Sequence, residues 1–256
     1  MYKRQVLDFP FDFGLLIVVG FIVGIINTLA GGGSLITLPL LIFLGLPTQV
    51  ANGTNRIAIL FYTSSATLGF RTKKVNTFPF SIYMGVSAMF GAVLGAKIAI
   101  DIDDFLFNRI LAIIMIVVVL FIVFKRKYNY LKTFEKTTGK SLIISAIAFF
   151  FIGIYGGFIN AGIGYIMMFF MSYFNKMSLI RVNAAKVTIA LIYTIAAFLT
   201  FLISGMVDWE YGIALSIGSA FGAFFTSRYS VKKGEGIIKV VMLVMVFVMA
   251  AKLWFF

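Results

Sequence analysis

The stretch Ala30-Gly31-Gly32-Gly33-Ser34 interrupts an apolar run that covers residues 13–46. A membrane-spanning helix needs about 20 apolar residues, so this run is too long for one crossing. Three consecutive glycines also weaken any helix that contains them. A second long run, residues 142–174, is broken in the same way by Asn160-Ala161-Gly162-Ile163-Gly164. We expect both runs to be re-entrant hairpins that turn at their glycines.

The composition around these breaks is that of a membrane protein. Of the 256 residues, 61% are hydrophobic and 12% are charged, and the mean hydropathy is +1.05. A soluble globular chain is about 45–50% apolar and about 25% charged. Eight apolar stretches fill the length and leave no room for a separate soluble domain. They cover residues 13–46, 57–70, 78–100, 105–124, 142–174, 187–204, 211–226 and 237–256.

The second half of the sequence repeats the first at an offset of 131 residues. The repeated positions include glycines, an asparagine and a basic residue, which two apolar segments rarely share by chance. The matched pairs include Gly31 with Gly162, Gly33 with Gly164, Asn52 with Asn183, Tyr62 with Tyr193, Gly91 with Gly222, and Lys97 with Arg228. The offset predicts two repeats, residues 1–124 and 141–256, joined by a basic cytoplasmic connector at residues 125–140.

The charges indicate which segments cross the membrane. The chain has 22 Lys and Arg against 9 Asp and Glu, a formal charge of +13, and cytoplasmic loops collect Lys and Arg. If both broken runs return to the side they entered, 16 of the 22 basic residues fall on the inward segments 71–74, 125–140, 176–186 and 228–239. Seven of the nine acids then fall at outward ends. If all eight stretches crossed, the basic and the acidic residues would each be spread over both sides of the membrane.

These patterns predict an all-α polytopic membrane protein built from two inverted repeats. Each repeat has a glycine-broken, re-entrant first segment followed by three transmembrane helices, and the odd number of crossings inverts one half relative to the other. The basic excess then reports orientation, and nucleic acid is not predicted as a partner. Residues 1–13 lack the basic region, apolar core and cleavage site of a signal peptide, so we expect the chain to be mature from residue 1.

Enzymatic function is disfavoured by the residues the chain lacks. It has no Cys and no His, which excludes thiolate chemistry, His-ligated metals and any mechanism that needs an imidazole base. No carboxylate pair lies within an apolar stretch. We therefore predict no catalytic residues, no metal and no cofactor.

The two breaks predict a site for an anion. Irregular backbone within a membrane is tolerated only where it lines protein or a watery cavity, and paired breaks in corresponding positions of two halves indicate a transporter binding site. The half-helix from Ser34 presents free N–H groups and a positive dipole end to the first break. Gly162 and Gly164 place a second such end opposite. By contrast, we predict close helix packing for the spacings Gly20/Gly24, Gly91/Gly95, Gly153/Gly157 and Gly218/Gly222.

Polar side chains beside the breaks are candidates for binding the anion, because amides and hydroxyls donate hydrogen bonds and Arg or Lys adds charge. A position at the lipid headgroups is the alternative for Arg56 and Lys186. Tyr62 and Tyr193 could supply hydroxyls, but we favour core packing for both. The predicted substrate-binding residues are Asn27, Thr28, Gly31, Gly32, Gly33, Ser34, Asn52, Gly53, Thr54, Asn55, Arg56, Asn160, Gly162, Gly164, Asn183 and Lys186.

Three motifs of the first half carry a resemblance to a known family. The runs Gly20-Phe-Ile-Val-Gly24, Gly31-Gly-Gly-Ser-Leu-Ile-Thr-Leu-Pro39 and Ala51-Asn-Gly-Thr54 resemble the TauE/SafE sulfite exporter family, also called the toluene sulfonate uptake permeases. The likeness spans essentially the whole chain. The second copy departs from the pattern, because Asn183-Ala184-Ala185 replaces Asn-Gly-Thr and Gly162-Ile163-Gly164 replaces the triple glycine.

The resemblance implies a small transporter of sulfur-containing anions such as sulfite, sulfoacetate or organosulfonates, in the inner membrane of a prokaryote. An anion leaving a negative cell gains about 2.3 kcal/mol per charge per 100 mV, which favours efflux or facilitated transport by alternating access. The alternatives are an anion channel and a non-transporting membrane scaffold or partner subunit. The expected partners are a small anion and the lipid bilayer, and a homo-oligomer is left open.

Overall fold

The computed structural model describes residues 11–29, 31–124 and 135–229, and within these ranges the protein is all-helical, with no strand. This confirms the predicted all-α class for the described part of the chain. The apolar stretch 237–256 and most of the connector lie outside the described residues. The helices are α1 (Phe11–Leu29), α2 (Ser34–Phe43), α3 (Thr48–Thr72), α4 (Phe80–Asp101), α5 (Asp104–Phe124), α6 (Lys140–Phe158), α7 (Ile163–Tyr173), α8 (Leu179–Ile203) and α9 (Trp209–Tyr229).

The surface of the helices is suited to lipid. Three of the described helices, α4, α6 and α8, are long and apolar enough to cross a membrane. Large apolar side chains point outward along the bundle: Ile203 is 85% exposed, Phe105 65% and Phe151 63%. A soluble monomer rarely exposes so many large apolar side chains. The protein is therefore a multi-pass membrane protein.

Two helices begin earlier than the apolar stretches predict. The stretches start at residues 57 and 187, but α3 begins at Thr48 and α8 at Leu179. Hydropathy misses these first turns because they carry polar side chains. Some of these polar groups bond to distant elements: Asn52 donates to the carbonyl of Phe158, and Thr54 accepts from the N–H of Asp208. The segment from Asn52 to Arg56 lies inside α3.

The helices of the two halves correspond in order and in length. α1 and α6 each have 19 residues, α2 and α7 have 10 and 11, and α3 and α8 each have 25. The bounds of α3 and α8 differ by 131 residues at both ends. The most extensive packing is crossed: α1 packs on α9 and α6 on α4, while α3 packs on α9 and α8 on α4. Helices α1 and α3 of the first half thus pack on α9 of the second half, and α6 and α8 of the second half pack on α4 of the first.

The glycine pairs at a spacing of four residues close these helix contacts, as predicted. Gly20 and Gly24 of α1 face Gly218 and Gly222 of α9, and the same relation joins α4 to α6. A Cβ built on any of the eight glycines would overlap a backbone carbonyl oxygen of the partner helix. Such close approach needs residues without a side chain, so the prediction of close packing is confirmed for all four pairs.

Three contacts show which ends of the helices lie together. Before α6, the backbone N–H of Lys136 donates to the carbonyl of Asn175, just after α7, at 2.8 Å. Near the start of α3, the Thr54 hydroxyl accepts from the backbone N–H of Asp208 at 2.8 Å. Near its end, a Cβ on Gly69 would overlap Oγ of Ser227. The segment before α6 therefore lies beside the segment after α7.

Candidate functional site

The two glycine breaks touch each other at the centre of the bundle. The backbone N–H of Gly164 donates to the carbonyl of Gly31 at 3.2 Å. Gly31 has a φ of +81° and a Cβ there would lie 2.5 Å from Cα of Gly164. Left-handed φ values and backbone contact of this kind both favour glycine. The glycines thus join the two halves at one point.

The starts of α2 and α7 converge at the same point. Nδ2 of Asn160, just before α7, donates to Oγ of Ser34, the first residue of α2, at 3.1 Å. Each helix start carries a partial positive charge of about half a unit. The Asn27 side chain holds the first break in shape by accepting from the Gly33 N–H at 2.7 Å. The sequence predicts this convergence of two positive helix ends.

A small cavity lies where the breaks meet. Its volume of about 10 Å³ is space for the centre of about one water molecule. Six of the sixteen predicted site residues line it: Asn27, Gly31, Ser34, Asn160, Gly164 and Lys186. Six residues that were not predicted complete the lining: Tyr62, Ile163, Met167, Val187, Ala190 and Tyr193.

Lys186 brings a positive charge to the cavity. Its side chain is 3% exposed, and its ammonium donates to Oδ1 of Asn183 at 3.0 Å and to the carbonyl of Thr28 at 3.3 Å. The charge pattern predicts that Lys186 belongs to the inward basic segment 176–186. The alternative prediction places it at the lipid headgroups. Both placements are wrong, because Lys186 lies buried within α8 and faces the cavity.

Arg56 is also fully buried, at 0% exposure, so its alternative placement at the headgroups is wrong too. Its guanidinium donates to the carbonyls of Gly156 at 2.6 Å and Gly157 at 2.8 Å, and to Oδ1 of Asn52 at 3.1 Å. It also lies over the Phe201 ring, 5.6 Å from the centroid. Arg56 therefore binds the end of α6 and does not line the cavity.

The neighbours of Arg56 on α3 likewise hold helices together. Asn52 donates to the carbonyl of Phe158 at 2.6 Å, and Asn55 accepts from the Thr37 hydroxyl at 2.7 Å. Gly53 packs against the backbone of Met206. The predicted residues that lie outside the cavity lining are Thr28, Gly32, Gly33, Asn52, Gly53, Thr54, Asn55, Arg56, Gly162 and Asn183.

Two tyrosines are the polar lining residues that we assigned to the core. Tyr193 is fully buried and its hydroxyl donates to Oδ1 of Asn160 at 2.6 Å, and Tyr62 lies on the same cavity. The two tyrosines are paired by the offset of 131 residues. That pairing is the feature of the sequence that could have identified them as site residues. No feature of the sequence identifies the four apolar lining residues, because an apolar chain has the same residue types throughout.

The charges around the cavity favour an anion. Six Asp and Glu side chains are described, and none of them is buried. Two cations, Arg56 and Lys186, are buried instead. A bound anion close to a buried cation reduces the cost of burying its charge. Among the described residues no group of three or more acidic side chains could hold a metal ion.

The chain is similar over most of its length to one family of known proteins. The sequence matches the family described as "Sulfite exporter TauE/SafE" over residues 16–253. The chain belongs to the TauE/SafE family. No solved structure matches it at a significant level.

The relatives of this TauE/SafE chain are named as transporters. It is 28% identical to a "probable membrane transporter protein" of Haemophilus influenzae over 239 residues, which is 93% of either chain. A protein of the same description from Sinorhizobium is 28% identical over 93% of this chain and 90% of its own length. One from Bacillus subtilis is 27% identical over 82% of this chain and 86% of its own length. The protein is thus a membrane transporter of the TauE/SafE family.

Proposed function

We propose that this protein moves small sulfur-containing anions, such as sulfite, sulfoacetate or an organosulfonate, across the cytoplasmic membrane of a prokaryote. The observation that carries the proposal is the buried Lys186, which faces a cavity between the starts of α2 and α7. A cation and two positive helix ends are the groups that bind oxyanions. The family description as sulfite exporters supports sulfur as the central atom.

The lining has a polar side and an apolar side. Lys186, Ser34, Asn160 and the two tyrosines offer N–H and O–H groups to the oxygens of an oxyanion. Ile163, Met167, Val187 and Ala190 offer apolar surface. This division suits an anion whose sulfur carries either a lone pair or a short organic group.

The size of the cavity supports alternating access. Space for about one water molecule is too small for a sulfur oxyanion. The anion can enter only if elements around the breaks move apart, and the breaks are the place where the two halves touch. Movement of one half against the other around a central site is the usual mode of transporters with inverted repeats.

The loop contacts support inverted repeats with re-entrant first segments. If all eight apolar stretches crossed, Lys136 and Asn175 would lie on opposite sides of the membrane, yet they are hydrogen-bonded. The same conflict arises for Thr54 with Asp208 and for the close approach of α3 to α9 near Gly69. All three contacts join residues of one side if residues 13–46 and 142–174 each return to the side they entered.

Single cysteines test this topology, and the chain has no cysteine of its own. Lys73, Ser178 and Ser204 are exposed residues near the ends of α3 and α8. We expect Lys73→Cys and Ser178→Cys to react with a membrane-impermeant maleimide from the same side, and Ser204→Cys from the other side. Eight full crossings would instead put Lys73→Cys with Ser204→Cys, and that labelling pattern would refute the re-entrant topology.

The at least partial exposure of the six described acids supports efflux or facilitated movement. Uptake of an anion against the membrane potential needs a coupled cation, and none of the described carboxylates is buried to carry a proton. Export is favoured by about 2.3 kcal/mol per charge per 100 mV. Export of an anion therefore needs no site for a coupled cation.

Flux from liposomes tests the proposed function. Purified protein reconstituted into liposomes should release entrapped sulfite, sulfoacetate or methanesulfonate faster than protein-free liposomes do, and release should saturate. Chloride at the same concentration serves as the control anion. If no sulfur anion moves faster than in protein-free liposomes, the proposal fails.

A further inference from the structure

Each broken helix ends on side chains that come from the other half. α6 ends at Phe158, and the carbonyls of Gly156, Gly157 and Phe158 accept hydrogen bonds from Arg56 and Asn52 of α3. The last carbonyls of a helix have no partner within it and carry partial negative charge. A cation with an amide is therefore a suitable cap for this end, which stands inside the bundle.

The end of α1 has a matching cap. The carbonyl of Thr28, one residue before the end of α1, accepts from the Lys186 ammonium of α8, which also binds Oδ1 of Asn183. Asn183 is the counterpart of Asn52 at the offset of 131 residues. In each cap the asparagine lies about one helical turn before the cation and accepts from it.

The two caps differ in the cation and in its surroundings. The offset pairs Arg56 with Val187 and Lys186 with Asn55, so the cations stand at non-equivalent positions. Arg56 makes two short bonds, 2.6 and 2.8 Å, to two carbonyls and does not line the cavity. Lys186 donates to the Thr28 carbonyl over a longer distance, 3.3 Å, and does line the cavity. A guanidinium is a rigid fork, whereas an ammonium on a flexible stem can change partners.

We propose that the Arg56 cap is a fixed clamp that positions α6 against α3, while Lys186 exchanges the Thr28 carbonyl for the substrate anion. Arg56 is then a positioning residue and Lys186 a binding residue. This assignment rests on the proposed function, because it names the groups through which the same site holds its anion. It also predicts a moving part: when Lys186 turns to the anion, the end of α1 loses its bond to α8, but the bonds of α6 to α3 remain.

Sulfite titrations followed by thermal unfolding separate the two roles. The samples are the full chain in detergent as wild type, Lys186→Met and Arg56→Lys, with Lys97→Met as the matched control because Lys97 is exposed on α4. We expect Lys186→Met to weaken the apparent Kd for sulfite about tenfold to a hundredfold, the range for one charge-assisted hydrogen bond. Arg56→Lys should unfold at a lower temperature without sulfite, yet keep the wild-type Kd within about twofold. Lys97→Met should match the wild type in both.

A second variant tests the same role in case Lys186→Met folds poorly. Lys186→Gln keeps a donor for the Thr28 carbonyl but carries no charge, so it should fold and still lose affinity for sulfite. A wild-type Kd in a folded Lys186 variant would overturn the assignment. So would an Arg56→Lys protein with wild-type thermal stability and a Kd weakened as much as in Lys186→Met. If sulfite, thiosulfate and methanesulfonate all fail to stabilise the wild type, the proposed function itself fails, and the exchange at Lys186 fails with it.

Discussion

Gly31→Ala should lower the stability of the protein more than any other single-methyl change in the first break. The new methyl group would lie 2.5 Å from Cα of Gly164, on a backbone with a φ of +81°. A left-handed φ costs a non-glycine residue about 1–2 kcal/mol, and overpacking adds about 1–3 kcal/mol. The sum is a large share of the roughly 5–15 kcal/mol that stabilises a typical protein. Thermal unfolding in detergent should show a large drop in melting temperature.

Gly205→Ala is the matched control for this prediction. Gly205 also has a positive φ, +70°, but a Cβ there would have no heavy atom within 4 Å. Its loss of stability should therefore contain only the backbone cost. Equal melting temperatures for Gly31→Ala and Gly205→Ala would mean that contact between the two breaks contributes nothing.

Arg56→Met should destabilise the protein by about 2–5 kcal/mol. The variant leaves the carbonyls of Gly156 and Gly157 without their donor, inside the bundle where water cannot replace it. Each hydrogen bond to a charged group is worth about 1.5–3 kcal/mol, and some of this is offset because no cation has to be buried. Thermal unfolding and the yield of folded protein after solubilisation measure the effect.

Lys97→Met provides the comparison for Arg56→Met, because it removes a cation from an exposed position of α4. Its stability should stay within about 0.5 kcal/mol of the wild type. If Arg56→Met unfolds at the same temperature as Lys97→Met, the bonds to the end of α6 do not stabilise the fold.

The sequence predicts the parts of this fold that depend on local pattern. The glycine pairs had to face neighbouring helices, because a four-residue spacing puts both glycines on one helix face. The breaks follow from consecutive glycines in runs that are too long for one crossing. The starts of α3 and α8 were missed, because a polar first turn is indistinguishable from a loop until its partners are known. Thr54 shows this, since its partner is the backbone of Asp208, 154 residues away.

The candidate site was predicted in position but not in detail. The offset and the breaks identify where the halves meet, and six of the sixteen predicted residues line the cavity there. The residues outside the lining are polar for another reason. Asn52 and Arg56 face the carbonyls of a helix about 100 residues later, a contact that depends on the crossed packing of the halves. Composition favours polar residues for capping and for binding alike and does not separate the two roles.

Sulfite counterflow in proteoliposomes tests most directly whether this protein is an alternating carrier with its site at the breaks. Liposomes containing the full chain are loaded with unlabelled sulfite and diluted into a trace of radiolabelled sulfite. A carrier predicts transient accumulation of label above its equilibrium level, retained in Lys97→Met and lost in Lys186→Met. Equilibration without an overshoot would indicate a channel, and uptake no faster than in protein-free liposomes would contradict transport of sulfite.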